Sequence, residues 1–238
     1  PPAPVEEVVQ VDAVPAKPGT PGTAASFRET AVISGKGGTG KTSVTAALIQ
    51  LAEQSVLADN DVDAADLHLL LKPRIHEVES FFGGAKASID PQQCVGCGKC
   101  EESCHFDAIE QVKRSEAHSL KLYQVDTLAC EGCSLCSLVC PANAITMTDD
   151  RTGCWYISET DFGPMVHADL GIGQENSGKL VSCVRQQAAR LAREMKLERI
   201  LADGPPGTSC PVIASITDAD LVLIVTEPTV SGVHDLSR

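Results

Sequence analysis

The chain has 238 residues, enough for one large domain or two smaller ones with a sizeable core. Its formal net charge of −13 and aromatic content of 3% make nucleic acid and anionic membranes poor candidate partners. No apolar run approaches the roughly 18 residues of a membrane span, and no early segment looks like a secretion signal. Eight of the eleven cysteines fall into two ordered arrays, which predicts metal binding in a reducing, cytoplasmic setting rather than disulfides.

The first part of the chain carries no folding signal. Residues 1–26 contain scattered prolines and no apolar periodicity, which predicts an extended linker. Because the sequence starts with Pro rather than Met, we expect that further residues precede it in the natural protein.

From residue 27 onward, short apolar strands alternate with helices. Residues 31–33 predict a first strand, and residues 42–54 a helix whose apolar face would contain Val44, Ala47, Leu48 and Leu51. Residues 56–58 predict a second strand, and a helix is predicted at 178–195. The apolar runs at residues 199–202 and 221–225 are typical of parallel strands buried on both faces.

This alternation predicts an α/β fold with a mostly parallel sheet flanked by helices. The cysteine region interrupts the pattern, which resumes around Trp155. We therefore predict a linker at 1–26, an α/β nucleotide-binding domain in two parts at 27–84 and 151–238, and an inserted α+β module at 85–150. The second part is expected to be incomplete at its C-terminal end.

A phosphate-binding loop follows the first predicted strand. The sequence from residue 35 to 42 satisfies G-x-x-x-x-G-K-[ST] and stands directly before a helix, which is the context this pattern requires. Loop N–H groups and the helix N-terminus would hold the phosphates of ATP. Lys41 would reach the β and γ phosphates, and the Thr42 hydroxyl would ligate Mg²⁺. The expected nucleotide contacts are Gly35, Gly37, Gly38, Thr39, Gly40, Lys41 and Thr42.

Acidic residues follow two of the predicted strands, at the end where ligands bind in such sheets. Asp61 and Asp63 follow the second strand, and Asp203 precedes a Gly-Pro-Pro-Gly segment. Asp and Gly are also common turn formers, which explains the residue types but not their placement. We expect functional roles for Asp203 and for Asp61, with Asp63 as the second choice to Asp61.

The cysteines repeat the pattern C-x-G-C-x-x-C-x-x-x-C-x-x-x-A-I at residues 94–109 and 130–145. This is the bacterial ferredoxin spacing, in which three cysteines of one run and the fourth of the other hold each [4Fe–4S] cluster. Zinc ribbons also use C-x₂-C pairs, but they do not require four cysteines in this repeated spacing. Pro141 follows the last cysteine of the second run, whereas His105 stands at the matching position of the first run. We favour a non-ligand role for His105. The expected ligands are Cys94, Cys97, Cys100 and Cys140 for cluster 1, and Cys130, Cys133, Cys136 and Cys104 for cluster 2.

In combination these motifs resemble the MinD/ParA superfamily of P-loop ATPases, which includes Mrp-type proteins and the nitrogenase iron protein, in forms that carry an inserted ferredoxin domain. The resemblance covers residues 27–238 and includes residues 175–181, for which it suggests no mechanism. It implies that Lys36 reaches the nucleotide of a partner subunit, hence an ATP-dependent homodimer. It also implies that Asp61 positions the attacking water and that Asp203 contacts Mg²⁺ through water.

The resemblance implies a cytoplasmic ATPase of an anaerobic prokaryote, whose nucleotide cycle gates electron transfer through two [4Fe–4S] clusters to a redox partner protein. Two alternatives stay open: an iron–sulfur cluster carrier of Mrp type, and a MinD-like spatial organiser whose clusters sense redox state. Cys154, Cys183 and Cys210 lie outside the arrays and are expected to be small buried residues. Cys210, with Cys183, could instead help to bridge two subunits through a shared cluster, as a cysteine of the nitrogenase iron protein does.

Overall fold

The computed structural model describes residues 27–52, 54–112, 121–171 and 177–237. They form a seven-stranded sheet with helices on both faces and a smaller, cysteine-rich module. The predicted linker at residues 1–26 lies outside the described residues. Within the described part of the chain, no helix is both long and apolar enough to cross a membrane.

The strands of the described residues are β1 (Arg28–Ser34), β2 (Val56–Asp59), β3 (Arg74–Ile89), β4 (Ile109–Val112), β5 (Leu122–Val125), β6 (Ile145–Thr160), β7 (Gly163–Leu170), β8 (Arg199–Pro206) and β9 (Leu221–Val225). The helices are α1 (Lys41–Leu51), α2 (Leu67–Leu71), α3 (Lys99–Glu102), α4 (Leu135–Val139), α5 (Ser177–Met195), α6 (Cys210–Ile216) and α7 (Val230–Leu236).

The large sheet has the strand order β3-β6-β7-β2-β8-β1-β9. The contacts from β7 through β9 are parallel, whereas β3–β6 and β6–β7 are antiparallel. The predicted class, a mostly parallel sheet flanked by helices, is therefore confirmed. The antiparallel pairs belong to the two strands that lead into and out of the cysteine-rich region.

Both faces of the sheet are buried because successive side chains of a strand point to opposite sides. Val56 and Ile200 face α5, whose buried residues Leu180 and Val184 complete that core. Their strand neighbours, such as Leu57, face the opposite side and pack with residues of α1 and α2. The continuous apolar runs of the sequence are explained by this burial between two helical layers.

Helix α1 buries a different face from the one predicted. Its buried residues are Lys41, Thr45 and Ile49, whereas Leu51 is 84% exposed. The apolar-face prediction is wrong because the phosphate loop, which ends at Gly40 in the left-handed region with φ 86°, fixes the rotation of the helix. Lys41 must point into the site, and residues four and eight positions later follow it on the same face.

Strand β9 is also less buried than predicted. It pairs with β1 on one side and is the last strand of the described sheet. Leu221 and Ile224 are 51% and 46% exposed, so the prediction of burial on both faces does not hold for this strand.

The cysteine-rich module is joined to the large sheet by two long strands. β3 pairs with β6 from Arg74–Glu159 to Ile89–Ile145, whereas β7 pairs with β6 only over residues 153–160. The remainder of the β3–β6 pair extends beyond the sheet as a two-stranded arm. The predicted module boundaries at residues 85 and 150 fall within this arm, and the module beyond it contains the β4–β5 sheet, α3 and α4.

Candidate functional site

Asp203 lies at the centre of the candidate nucleotide site and is fully buried on β8. One of its carboxylate oxygens accepts a hydrogen bond from the Thr42 hydroxyl, and the other accepts one from the Thr45 hydroxyl, both at 2.7 Å. The Lys41 ammonium lies 3.1 Å from the same carboxylate. Because β8 pairs with β1, Asp203 lies beside the loop that follows β1. The structure thus brings the predicted residues Lys41, Thr42 and Asp203 together.

Asp61 is the second acidic residue beside Lys41. Its Oδ2 lies 3.5 Å from Lys41 Nζ, and the residue is 9% exposed. Burial raises the pKa of Asp61, against the lowering effect of the Lys41 charge. Asp63, the second choice for the same role, is exposed. The geometry therefore favours Asp61 over Asp63 as a residue that faces the nucleotide.

Asp59 is a third carboxyl group of the site, and the sequence pattern placed it in the acidic segment after the second strand without giving it a role. It is fully buried at the end of β2, and it accepts hydrogen bonds from the N–H groups of Asp61 at 3.2 Å and Leu67 at 3.1 Å. Burial raises the pKa of Asp59 well above its usual range, and the charge of Asp203 raises it further. Asp59 therefore fixes the acidic segment in place through backbone contacts.

Thr45 and Asn60 were also missed. Thr45 stands one helical turn after Lys41, so its contact with Asp203 could have been expected from helix periodicity once that face was known. Asn60 is fully buried, and its side-chain amide has no hydrogen-bond partner among the described residues. No sequence signal distinguishes it from the surrounding turn-forming residues.

The site suits a magnesium-bound nucleotide. Gly38 and Gly40 have φ of 81° and 86°, a backbone conformation that lets a glycine loop turn its N–H groups toward an anion. The Thr39 hydroxyl is buried and has no hydrogen-bond partner among the residues that the structure describes, so it is free to donate a hydrogen bond to a phosphate oxygen. The oxygens of Thr42 and Asp203 are ligands of the kind that Mg²⁺ prefers.

Lys36 is the predicted intersubunit residue. Its ammonium lies 2.8 Å from Glu227 of the same chain, and both side chains are about one-third exposed, at 34% and 38%. The hydrogen bond with Glu227 raises the pKa of Lys36. Lys36 is thus a charged, accessible group at the edge of the phosphate loop, and its predicted role in a dimer stays a prediction.

The eight array cysteines line two separate cavities of the module. The first cavity includes the apolar residues Phe106 and Met147, and the second includes Ile89 and Tyr123. Each cavity contains three cysteines of one run and the fourth of the other. The first is lined by Cys104, Cys130, Cys133 and Cys136, and the second by Cys94, Cys97, Cys100 and Cys140.

This arrangement suits iron–sulfur clusters. Gly96 and Gly132 adopt positive φ, and a Cβ at either would overlap a backbone carbonyl, of Lys121 or of Ala85, so both ligand loops require glycine. The Ala144 N–H donates to Cys140 Sγ at 3.3 Å. Among the described residues, no three His, Cys, Asp or Glu side chains converge closely enough to hold a single metal ion. Each thiolate of a cubane binds a different iron, so four sulfurs around a cavity fit a cluster better than zinc.

Several other groups adjoin the ligands. The Lys86 ammonium donates to the Cys130 carbonyl at 2.6 Å, which places a positive charge beside the first cavity. Of the cysteines outside the arrays, Cys154 and Cys183 are half-buried and Cys210 is exposed. The Arg151 guanidinium donates a hydrogen bond of 2.7 Å to Cys154 Sγ. The three cysteines are thus less buried than expected, Cys210 most of all, and no observation bears on a shared cluster.

Comparison with known proteins adds the family. Residues 87–147 match the family described as a 4Fe-4S dicluster domain. The chain is 34% identical over 211 residues to the uncharacterized protein MJ0578 of Methanocaldococcus jannaschii, a match that covers 87% of this chain and 70% of that protein. It is 28% identical over 213 residues to MJ0579 of the same organism, with 87% and 72% covered.

Among solved structures, the septum site-determining protein MinD of Pyrococcus horikoshii, complexed with Mg-ADP, has a TM-score of 0.43 and 19% identity. That match covers 88% of this chain and 61% of the MinD chain, so the present chain spans about three-fifths of its length. The extent of the identity to MJ0578 shows that this chain belongs to the family of that protein, and residues 87–147 form its 4Fe-4S dicluster domain.

Proposed function

We propose that this protein hydrolyses ATP and that its nucleotide state controls electron transfer through two [4Fe–4S] clusters. The observation that carries the proposal is the continuity of β6. This strand begins at Ile145, which lines the second cysteine cavity, and it runs into the large sheet, where β7 separates it from β2, the strand that ends at Asp59. The nucleotide site is thus connected to the cluster module through the hydrogen-bonded strands β2, β7 and β6.

On the nucleotide side, each residue has a role that its position supports. The Lys41 ammonium, 7% exposed between two carboxylates, would balance the charge of the transferred phosphoryl group. Thr42 and Asp203 would hold Mg²⁺, and the Asp61 carboxylate would orient the attacking water. Water would add to the γ-phosphorus as the bond to the β–γ bridging oxygen breaks, which releases ADP and phosphate.

On the cluster side, bound [4Fe–4S] groups supply reversible one-electron transfer. The chain holds them with the two crossed cysteine sets, and the apolar walls of both cavities limit access of water to the sulfurs. Burial raises the pKa of the Cys100 and Cys136 thiols, so the positive charge of iron is needed to keep them as thiolates.

Dimer formation and partner choice belong to the same proposal. Lys36 would exchange its contact with Glu227 for the nucleotide of a second copy, which makes ATP the signal for dimerisation. The dimer would then pass electrons to a redox partner protein in the cytoplasm. The low sequence pI of about 4.8 favours a partner with a basic docking surface.

The decisive experiment compares ATP hydrolysis by anaerobically purified protein with its clusters reduced and oxidised. We expect two different rates, with both clusters retained through turnover and with Lys41→Ala inactive in both states. Equal ATPase rates in the two redox states would exclude the proposed coupling. A Lys41→Ala variant with the wild-type rate would exclude the proposed nucleotide site.

A cluster-carrier function is the second candidate, because one ligand of each set, Cys97 and Cys133, is exposed. Exposed ligands are the ones an acceptor protein could displace. In a carrier, iron would leave with ATP turnover and appear in an apo-ferredoxin mixed with the protein. Full retention of iron by the chain during turnover would exclude this candidate.

A further inference from the structure

The two-stranded arm leaves the large sheet at an irregularity in β3. The register of the β3–β6 pair shifts between Phe81 and Phe82 and again between Phe82 and Gly84. On the β6 side the contact with β7 begins at Gly153, so the bulge lies where the arm loses the support of the sheet. Bulges bend a strand and change its local twist, so this one determines where the arm points.

Gly83, at the centre of the bulge, is held on both of its backbone groups by side chains. Its N–H donates to the Thr152 hydroxyl at 3.0 Å, and its carbonyl accepts from the Lys179 ammonium at 3.0 Å. Thr152 is 3% exposed and belongs to β6 itself. Lys179 is the external contact, because it comes from α5 rather than from the arm.

Lys179 stands in the first turn of α5, and the preceding residue, Gly178, faces the start of α6. A Cβ at Gly178 would lie 3.4 Å from Cys210 Cβ, so the start of α5 lies close beside the start of α6. The segment from Asp203 to Cys210 begins at the carboxylate that accepts a hydrogen bond from Thr42. Further along this segment, the Gly207 N–H donates a hydrogen bond of 2.8 Å to the Ser34 carbonyl at the end of β1. The chain that follows Asp203 therefore leads to the helix turn from which Lys179 reaches Gly83.

The Lys179 contact is not required to hold α5 in place. The helix is anchored by buried Leu180, Val181 and Val184, and by Arg185, which forms two bonds of 2.7 Å with Glu29. Among the described residues, no carboxylate pairs with Lys179. A single bond from an ammonium to a neutral carbonyl can break and form again without exposing a buried opposite charge.

We propose that Lys179 is the positioning residue that couples the nucleotide site to the cluster module. A change in the segment from Asp203 to Cys210 moves the start of α5, Lys179 changes its hold on the Gly83 carbonyl, and the bulge redirects the arm. The inference rests on the proposed function, and it assigns a role to the segment around residue 179 that the family resemblance left unexplained.

The test uses the cluster-loaded protein with Lys179→Met, the conservative Lys179→Arg and, as a matched control, Lys196→Met, an exposed lysine that follows the other end of α5. The first readout is the ratio of ATPase rates between reduced and oxidised clusters. We expect this ratio to fall to one in Lys179→Met, with unchanged iron content and an unchanged rate in the oxidised state. Lys179→Arg should keep part of the wild-type ratio, and Lys196→Met all of it.

The second readout is amide hydrogen exchange over residues 81–86 and 150–153, with Mg-ADP and with a non-hydrolysable Mg-ATP analogue. The two nucleotides should give different exchange in the wild type and in Lys196→Met, but equal exchange in Lys179→Met. If the wild-type protein had equal ATPase rates with reduced and oxidised clusters, the proposed function would be excluded. The hydrogen-exchange readout would still test the role of the Lys179–Gly83 contact. Equal exchange in the wild type, or a Lys179→Met variant that keeps the wild-type difference, would overturn the inference.

Discussion

Crossed ligation of the two clusters can be tested by replacing cysteines in pairs. Cys104 is the informative residue, because it lies four positions after Cys100 in the sequence but lines the cavity of the other run. Cys104→Ala would be combined with Cys133→Ala, which lines the same cavity, or with Cys97→Ala, which lines the other. The two double variants remove the same number of thiols and differ only in how the cavities are affected.

The expected iron contents follow from the geometry. With four thiolates for each [4Fe–4S] cluster, the wild type should contain about eight irons, and Cys104→Ala alone about four. Adding Cys133→Ala damages a cavity that is already lost, so about four irons should remain. Adding Cys97→Ala damages the second cavity as well, so iron should fall close to zero.

Iron and acid-labile sulfide would be measured on anaerobically purified protein, with electron paramagnetic resonance of the reduced samples to show which clusters remain. Cys154→Ala is the control, since Cys154 lines neither cavity and should leave the iron content unchanged. If each run instead held its own cluster, the two double variants would exchange their results. That exchange would refute the crossed arrangement.

Three further predictions follow from single contacts. Asp203→Asn should lower ATP hydrolysis at least about 100-fold, because it weakens the site of Lys41 and Mg²⁺, with no loss of iron; phosphate release above a tenth of the wild-type rate would contradict this. Arg185→Ala should lower the free energy of unfolding by about 3–5 kcal/mol, since it leaves Glu29 buried and unpaired. Arg190→Ala, which breaks an exposed pair on the same helix, should cost less than about 1 kcal/mol, and equal urea midpoints for the two variants would refute the difference. Burial lowers the pKa of His167 to about 4, so only the unfolded chain binds this proton between pH 6.5 and 4. The contribution of His167 to stability should therefore fall by about 2 kcal/mol from pH 7.5 to 5, and the His167→Phe variant should lack this part of the pH dependence when urea unfolding is measured at the two pH values.

Residues close together in the sequence carried the predictions about chemistry. The phosphate loop and the two cysteine runs each depend on a few consecutive positions, whose spacing fixes which backbone groups and sulfurs can surround a ligand. The strands could be recognised for a similar reason, because burial between two helical layers requires continuous apolar residues. The mostly parallel fold class followed from the order of these local patterns.

The errors came from positions where another part of the molecule determines orientation. The apolar spacing of α1 pointed to Leu51, but the phosphate loop rotates the helix so that Thr45 and Ile49 are buried. Asp59 resembled an ordinary strand-end residue until the pairing of β2 with β8 placed it opposite Asp203. A sequence lists strands but does not give their order in the sheet.

The sequence by itself gives this protein a phosphate-loop pattern and two ferredoxin-type cysteine runs, and it predicts that the cysteine module interrupts the nucleotide-binding domain. Only the tertiary structure decided how the two are connected. It placed the two predicted cysteine sets around separate cavities, extended β3 and β6 into one arm, and brought Lys179 to Gly83 across 96 positions of sequence. Such contacts depend on which elements become neighbours in space, and that choice is made by the burial of the whole sheet rather than by any local pattern.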